Sequence, residues 1–243
     1  MAELVWDAVG ERLYETGNSQ TVLYPMTNNV YGNGVAWNGV TGINHQPSGG
    51  DSSDIYADDI KYLSIRAREE MGFTITAYTY PDEFAVCDGS RDVVQGVRLY
   101  QQSRKMFGLC HKTILGNDTN DVDYGYKLHL LYGCTVNPSE RNYATINESP
   151  EAIEFSWEGK TTPVPVGTIS GVDYRPIGMI TIDSTKVDAT KLQTLLGKLY
   201  GTAQTEPMLP LPAEVISTLQ LNNSNMKSFG EKNNKSFSDS DVK

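Results

Sequence analysis

Cysteine and histidine are both scarce in this sequence, and neither has the spacing of a disulfide framework or a zinc motif. The three cysteines among 243 residues, Cys87, Cys110 and Cys134, are odd in number, far apart and never in a CxxC pair. Buried free thiols in a reducing compartment are therefore expected. Of the three histidines, His111 and His129 fall on strands that we expect to pair, but surface or hydrogen-bonded histidines explain them sufficiently. The sequence predicts no metal and no cofactor.

Basic residues are outnumbered, and long apolar runs are missing. Lys and Arg total 20 against 30 Asp and Glu, which gives a formal charge of −10 and argues against a broad basic surface for binding phosphates. No window is apolar enough to span a bilayer, and the N-terminus MAELVWDAVG lacks the basic and apolar regions of a signal peptide. We expect a soluble protein that is made without export.

Catalytic motifs are missing too. The sequence contains no GxSxG, no HExxH and no phosphate-binding loop, and adjacent strand residues such as Cys110 and His111 point to opposite faces. The acidic loop at 117–123 lacks the glycine and terminal Glu of a calcium loop. Glu154 and Glu158 lie on the polar side of a strand pattern, where solvent or a channel is enough to explain them. The sequence predicts no enzymatic activity.

What the sequence does contain is strand pattern. Its 22 glycines and 11 prolines, with many Thr, Val and Tyr, favour short strands and turns. The stretch YGYKLHLLYGCTV at 124–136 alternates apolar and polar residues, which predicts a strand buried on one face. The stretch AIEFSW at 152–157 alternates as well, and we expect the two strands to be sheet neighbours. The predicted fold class is mainly β, with a few helices.

Three helices are expected among these strands. A short one has Pro81 at its first position and stops at Gly89. The strongest has Asp188 as its N-cap, a leucine stripe and Gly201 as its stop. Another short helix begins at Pro212. After residue 221 the sequence is too polar to pack, so we expect a β-domain over 1–221 and a disordered tail over 222–243.

The first 72 residues are harder to assign. A turn at 16–19 predicts an N-terminal hairpin, and dense glycines in 31–50 indicate bulges or a mobile arm extending over about 30–58. Residues 58–72 fit a helix or a strand from Ile60 to Ile65. We prefer the strand, because the alternating GFTITAYTY that follows it needs an antiparallel partner.

A series of short segments occurs in order from about residue 6 to 219. The set is GERLYETG, VLYPM, GVAWNGVTGI, IYADDIKYL, ITAYTYPDEFAVCDG, FGLCHKTILGND, DYGYKLHLLYGC, NESPEAIEFSWE, TTPVPV, ITIDSTKVD and LPLPAEVI, of which the WNG and YTYPDEF segments are the most specific. Together these segments resemble the major tail tube proteins of long-tailed bacteriophages of Gram-positive hosts.

This resemblance implies a β-sandwich or barrel-like subunit that forms six-fold rings stacked into a non-contractile tube in the virion tail, after synthesis in the bacterial host cytoplasm. Its partners would be further copies of itself and the tape measure, tail terminator and distal tail proteins. Double-stranded DNA would pass through the lumen without specific binding, which suits an acidic chain. The family has no catalytic residues to carry over.

Particular residues receive roles from this hypothesis. We expect the glycine-rich arm to become ordered on a neighbouring subunit, with Trp37 as its anchor and Val35 and Val40 as further contacts. Glu154 and Glu158 are the candidates for the lumen. The alternatives are a β-sandwich module that binds a receptor or a carbohydrate through aromatic residues such as Trp37, Tyr78 and Tyr80, and an uncharacterised β-rich hydrolase.

Overall fold

The computed structural model describes residues 4–146, 148 and 152–220, so the predicted disordered tail lies outside the described residues. The fold is mainly β and sandwich-like, with a few short helices beside a large antiparallel sheet. This confirms the predicted fold class. The strands are β1 Leu13–Thr27, β2 Val30–Tyr31, β3 Val35–Ala36, β4 Val40–Gly49, β5 Ser52–Ala57, β6 Ile60–Arg66, β7 Glu69–Ala77, β8 Arg91–Val94, β9 Val97–Leu99, β10 Phe107–Asn117, β11 Asp121–Val136, β12 Phe155–Thr161, β13 Gly167–Ile169, β14 Val172–Tyr174 and β15 Met179–Asp183.

The helices form where the sequence predicts them. A 3-10 turn at Asp82–Phe84 continues into α1, Ala85–Asp88, and ends at Gly89 with φ of 79°. In α2, Ala189–Tyr200, the Asp188 carboxylate accepts hydrogen bonds from the backbone N–H groups of the first turn. Helix α3, Pro212–Leu219, begins at its proline.

The main sheet has nine strands and curls back on itself. Its order is β2-β1-β10-β11-β12-β7-β4, with β3 pairing β1 and β15 pairing β11. From β3 the chain passes through Trp37, whose N–H donates to the Thr21 carbonyl oxygen in β1, directly into β4 at the far end of that order. The two ends of the sheet are therefore close together, and the sheet encloses a core.

Two apolar cores lie on opposite sides of the central strands. One packs β1, β10 and β11 against α2 and α3, and the other fills the curl between those strands and β12, β7 and β4. In β11, Leu130 belongs to the helix-side core and Leu131 to the enclosed core. The prediction of a strand buried on one face is therefore wrong, because two layers cover β11.

A bulge at Gly133 explains why the alternation of β11 is misleading. Tyr132 belongs to the helix-side core, but Cys134 belongs to the enclosed core, although the two residues share one parity. Gly133 has φ of 57°, and a Cβ there would lie 2.3 Å from the Thr162 carbonyl oxygen, so glycine is required. Beyond the bulge, β11 pairs with β12 through residues 134–136. The expected pairing of these two strands is confirmed.

The N-terminal region differs from its prediction in two places. There is no hairpin at 16–19: β1 runs through to Thr27, with register shifts between Thr16 and Val22, because β10 pairs with it on both sides of the irregularity. Residues 60–66 are a strand as preferred, but β6 pairs with β5, and β7 pairs instead with β4 and β12.

Residues 30–49 are not an arm. They include β2, β3 and all of β4, and these strands pair within the main sheet. The part of the predicted 30–58 arm that does leave the sheet begins only at Ser52, in β5.

Arg141 fixes the long segment between β11 and β12 to the enclosed core. Its guanidinium lies 2.5 Å from the buried Asp88 carboxylate, over the rings of Tyr80, Tyr100 and Phe155. Arg141 thus connects its part of this polar segment to the core through one ion pair and its contacts with three aromatic rings.

Candidate functional site

Three two-stranded hairpins leave the main sheet. They are β5–β6, β8–β9 and β13–β14, and within the described residues the strands of each pair only with one another. Isolated hairpins are marginally stable in water unless another surface covers them. These hairpins are therefore the natural places to look for contacts with other molecules.

The β5–β6 hairpin is the most exposed of the three. Every residue of both strands is exposed, although Ile55, Tyr56, Ile60, Tyr62, Leu63 and Ile65 are apolar or aromatic. Ile55 and Leu63 are cross-strand partners, whereas Tyr62 lies on the other face of its strand, so both faces carry apolar side chains. Paired apolar faces of this kind indicate an interface.

The other two hairpins and the N-terminal segment continue this surface chemistry. Val94 and Val97 are exposed partners in β8–β9, and Tyr174 is exposed in β13–β14. At the N-terminus, Leu4 and Trp6 are about three-quarters exposed, at 74% and 76%. Apolar side chains thus lie on every segment that leaves the sheet.

The proposed anchor residue, Trp37, is not on this surface. Its side chain is 3% exposed, its ring lies 4.5 Å from that of Phe84 and 5.6 Å from that of Trp157, and its Nε1–H donates to the Thr79 carbonyl oxygen. The prediction of an inter-subunit anchor is wrong, because these rings of its own chain surround the indole. Val35 and Val40 are half-buried, and their contact with a neighbour stays a prediction.

The two acids proposed for the lumen are exposed. Glu158 lies in β12 opposite Thr74, and Glu154, just before the strand, accepts a hydrogen bond from the Thr41 hydroxyl group. Between them, the half-buried Phe155 and the buried Trp157 point the other way, towards the enclosed core. Glu154 and Glu158 therefore share an outward face, as their parity predicts, while their position in a lumen stays a prediction.

All three histidines of the chain lie together, which the sequence did not predict. His111 and His129 are cross-strand partners with rings stacked at 4.6 Å, and His45 reaches them from β4. The His45 and His111 Nε2 atoms are 3.1 Å apart. Burial lowers the pKa of each histidine, that of His111 to about 3, so all three are neutral at pH 7.

The three cysteines are buried free thiols, as predicted. Burial raises the pKa of Cys87 to about 12 and also raises those of Cys110 and Cys134. They are therefore protonated and unreactive at neutral pH.

Comparisons with known proteins add no relative. No protein-family model matches the sequence, and no curated protein matches it. Within the described residues, no helix has the length and apolar character that a membrane crossing requires.

The sequence signal for the exposed hairpin was available but was assigned to the wrong residues. IYADDIKYL carries apolar residues on both parities around Asp58 and Asp59, which both have positive φ in the turn. Apolar residues on both faces of a short hairpin indicate a surface that contacts another molecule. The dense glycines of residues 31–50 predicted an arm there instead, but this segment supplies strands β2, β3 and β4 of the main sheet.

Proposed function

We propose that this protein is a structural subunit of a bacteriophage tail tube, which forms stacked rings, six subunits to a ring, around a channel for genome delivery. The observation that carries the proposal is the β5–β6 hairpin, fully exposed and apolar on both faces, on an otherwise well-packed sandwich. When neighbouring subunits cover such a hairpin, its apolar side chains are buried and its unpaired strand edges are covered as well.

Charge and sequence support the same proposal. The −10 formal charge keeps phosphate attraction low, as a conduit for DNA requires. The sequence segments that resemble tail tube proteins include both the exposed IYADDIKYL and GVAWNGVTGI, which belongs to the main sheet and contains the buried Trp37. The resemblance thus covers the sandwich and the hairpin together.

The alternative is a β-sandwich module that binds a receptor or a carbohydrate. It would need a platform of exposed aromatic rings. Of the three aromatics suggested by the sequence, Trp37 is buried and Tyr80 half-buried, and only Tyr78 is exposed, at 54%. The self-assembly proposal accounts for more of the exposed apolar surface.

Negative-stain microscopy of the purified chain tests the proposal. Wild type should form rings or tubes, and a variant with residues 52–66 replaced by a short Gly-Ser turn should remain folded and monomeric. The matched control is Ser170→Asn in the β13–β14 turn, which gives an Asn-Gly pair suited to the two positive φ values there and leaves all of β5–β6 intact. Wild-type protein that stays monomeric at every concentration and binds a sugar or receptor would favour the alternative.

Tail lumen chemistry has a test of its own. With Glu154 and Glu158 facing the channel, replacing both by Lys should leave tubes intact but slow DNA ejection at low salt, because phosphate attraction is screened as salt rises. Dye fluorescence of ejected DNA measures this. Normal ejection at low salt from intact virions of this variant would show that Glu154 and Glu158 do not face the lumen.

A further inference from the structure

The histidine cluster joins strands that do not pair with each other. His111 in β10 and His129 in β11 belong to one hairpin, whereas His45 is in β4, which pairs with β7 at the far end of the sheet order. One ligand nitrogen from each ring lies within 4.8 Å of the other two. The chain has three histidines in all, and each of them is here.

The spacing of the nitrogens is close to that of a metal site. Zinc–nitrogen bonds of about 2.0–2.1 Å at tetrahedral angles place two ligand nitrogens about 3.4 Å apart. The His45 and His111 Nε2 atoms are 3.1 Å apart, and the largest separation in the cluster is 4.8 Å. The first pair therefore has nearly the separation of two zinc ligands, and the third nitrogen lies within 4.8 Å of both.

Partners that orient one histidine of the cluster are in place. The Glu15 Oε1 atom lies 3.3 Å from His129 Nε2, and Lys127 holds the other Glu15 oxygen at 2.5 Å. His129 Nδ1 lies 3.2 Å from the Thr181 hydroxyl oxygen, so its outer nitrogen has a partner that orients the ring. Metal-binding histidines and carboxylates are commonly oriented in this way.

One nitrogen of the cluster lacks a hydrogen-bond partner. His111 is 2% exposed, and its Nδ1 has no hydrogen-bond partner in the described part of the chain, so hydrogen bonding alone does not satisfy the cluster.

We propose that His45, His111 and His129 bind a divalent transition metal ion, zinc in particular, which joins β4 to the β10–β11 hairpin, while Glu15 orients His129. Three imidazole ligands suit zinc and its neighbours better than magnesium or calcium. Strand β4 leads through residues 50 and 51 into the exposed β5–β6 hairpin. The ion therefore fixes the base of that hairpin, whatever the function of the protein.

Metal titration of the full chain tests the site. The protein must carry no polyhistidine tag, because its own three histidines are the signal. After chelator treatment, Zn²⁺ should bind at one equivalent in a calorimetric titration and raise Tm. Co²⁺ should give the intense visible bands of a tetrahedral site without a thiolate charge-transfer band, which distinguishes histidine ligands from the cysteines.

Matched variants decide which residues hold the ion. His45→Gln, at the half-buried member of the cluster, should lower zinc affinity at least tenfold, and Glu15→Gln should lower it by about tenfold. Glu158→Gln, an exposed acid outside the cluster, should bind as wild type does. Side-chain nitrogen NMR reads all three imidazoles directly, and unchanged histidine signals on adding zinc would overturn the site even if a variant fails to fold.

Limited proteolysis tests the role of the ion at the base of the hairpin separately. Zinc should slow cleavage within residues 52–66 in wild type but not in His45→Gln. Binding at one equivalent with the same cleavage rate would keep the metal site and overturn its role at the base of the hairpin.

Discussion

Two hairpins of this protein share a local pattern and have opposite environments. In β10–β11, cross-strand partners such as Cys110 and Leu130 are completely buried, because helices cover one face and the curled sheet covers the other. In β5–β6, partners such as Ile55 and Leu63 are exposed. Alternation makes both of them strands, but only the packing of more distant segments decides which one becomes core. No other element among the described residues covers the exposed hairpin.

The largest expected effect contrasts a buried tryptophan with an exposed one. Trp37→Ala should lower the free energy of unfolding of the monomer by about 3–5 kcal/mol, because it leaves a cavity beside Phe84 and Trp157. Trp6→Ala, at a side chain that is 76% exposed, should change it by less than about 0.5 kcal/mol. Urea unfolding measures both. Equal effects would mean that Trp37 is not core.

Much of the helical structure was predictable, and the reasons are local. The Asp188 cap, Pro212 at a helix start and Gly89 at a helix end act within one turn of the chain, so sequence is enough. The burial of Trp37 was not predictable, because it depends on rings more than 40 residues away in sequence, at Phe84 and Trp157. The glycines on either side of Trp37 predicted a mobile arm instead.

Part of the candidate site was hidden for the same reason. The pairing of His111 with His129 follows from the hairpin that the sequence predicts. His45 joins them only because the sheet curls until β4 faces β10 and β11, which no spacing in the sequence encodes. The bulge at Gly133 was equally hidden, since a single positive φ reverses the parity of every residue after it.

A second contrast compares a buried ion pair in the core with an exposed one in a hairpin. Arg141→Met leaves Asp88 buried without its cation, and should cost about 3 kcal/mol or more. Arg98→Met breaks pairs with Asp82 and Asp92, whose side chains are 88% and 48% exposed, and should cost less than about 1 kcal/mol. Chemical unfolding of both variants gives the difference. If Asp88→Asn restores Arg141→Met, the unpaired charge is the cause.

The pH dependence of stability should come from the core and not from the hairpins. Burial lowers the folded-state pKa of His111 from its ordinary value of 6.5 to about 3. Between these two pH values, His111 is protonated in the unfolded chain and neutral in the folded chain. The stability due to neutral His111 is complete above pH 6.5 and is lost as the pH falls towards 3, by at most about 1.4 kcal/mol per pH unit.

His45 and His129 act in the same direction, opposed by the attraction of Glu15 for the protonated rings. Urea unfolding between pH 7 and 5, in chelator, should therefore show falling stability. His111→Gln should reduce that slope. A slope unchanged by this variant would place the pH dependence elsewhere in the chain.

The smallest expected effect on stability is in the exposed hairpin, and it is the sharpest test of the contrast. Tyr62 is 68% exposed in β6, so Tyr62→Ser should change the free energy of unfolding of the monomer by less than about 0.5 kcal/mol. If a neighbouring subunit covers the hairpin, the same change removes an aromatic contact and raises the protein concentration at which rings form. Lys61→Ser, at the preceding residue and on the opposite face of the strand, is the control; it breaks an exposed ion pair with Asp54, which should cost less than about 1 kcal/mol. Sedimentation velocity over a concentration series measures assembly. If Tyr62→Ser changes neither the stability of the monomer nor the concentration at which rings form, this face of β6 stays in solvent.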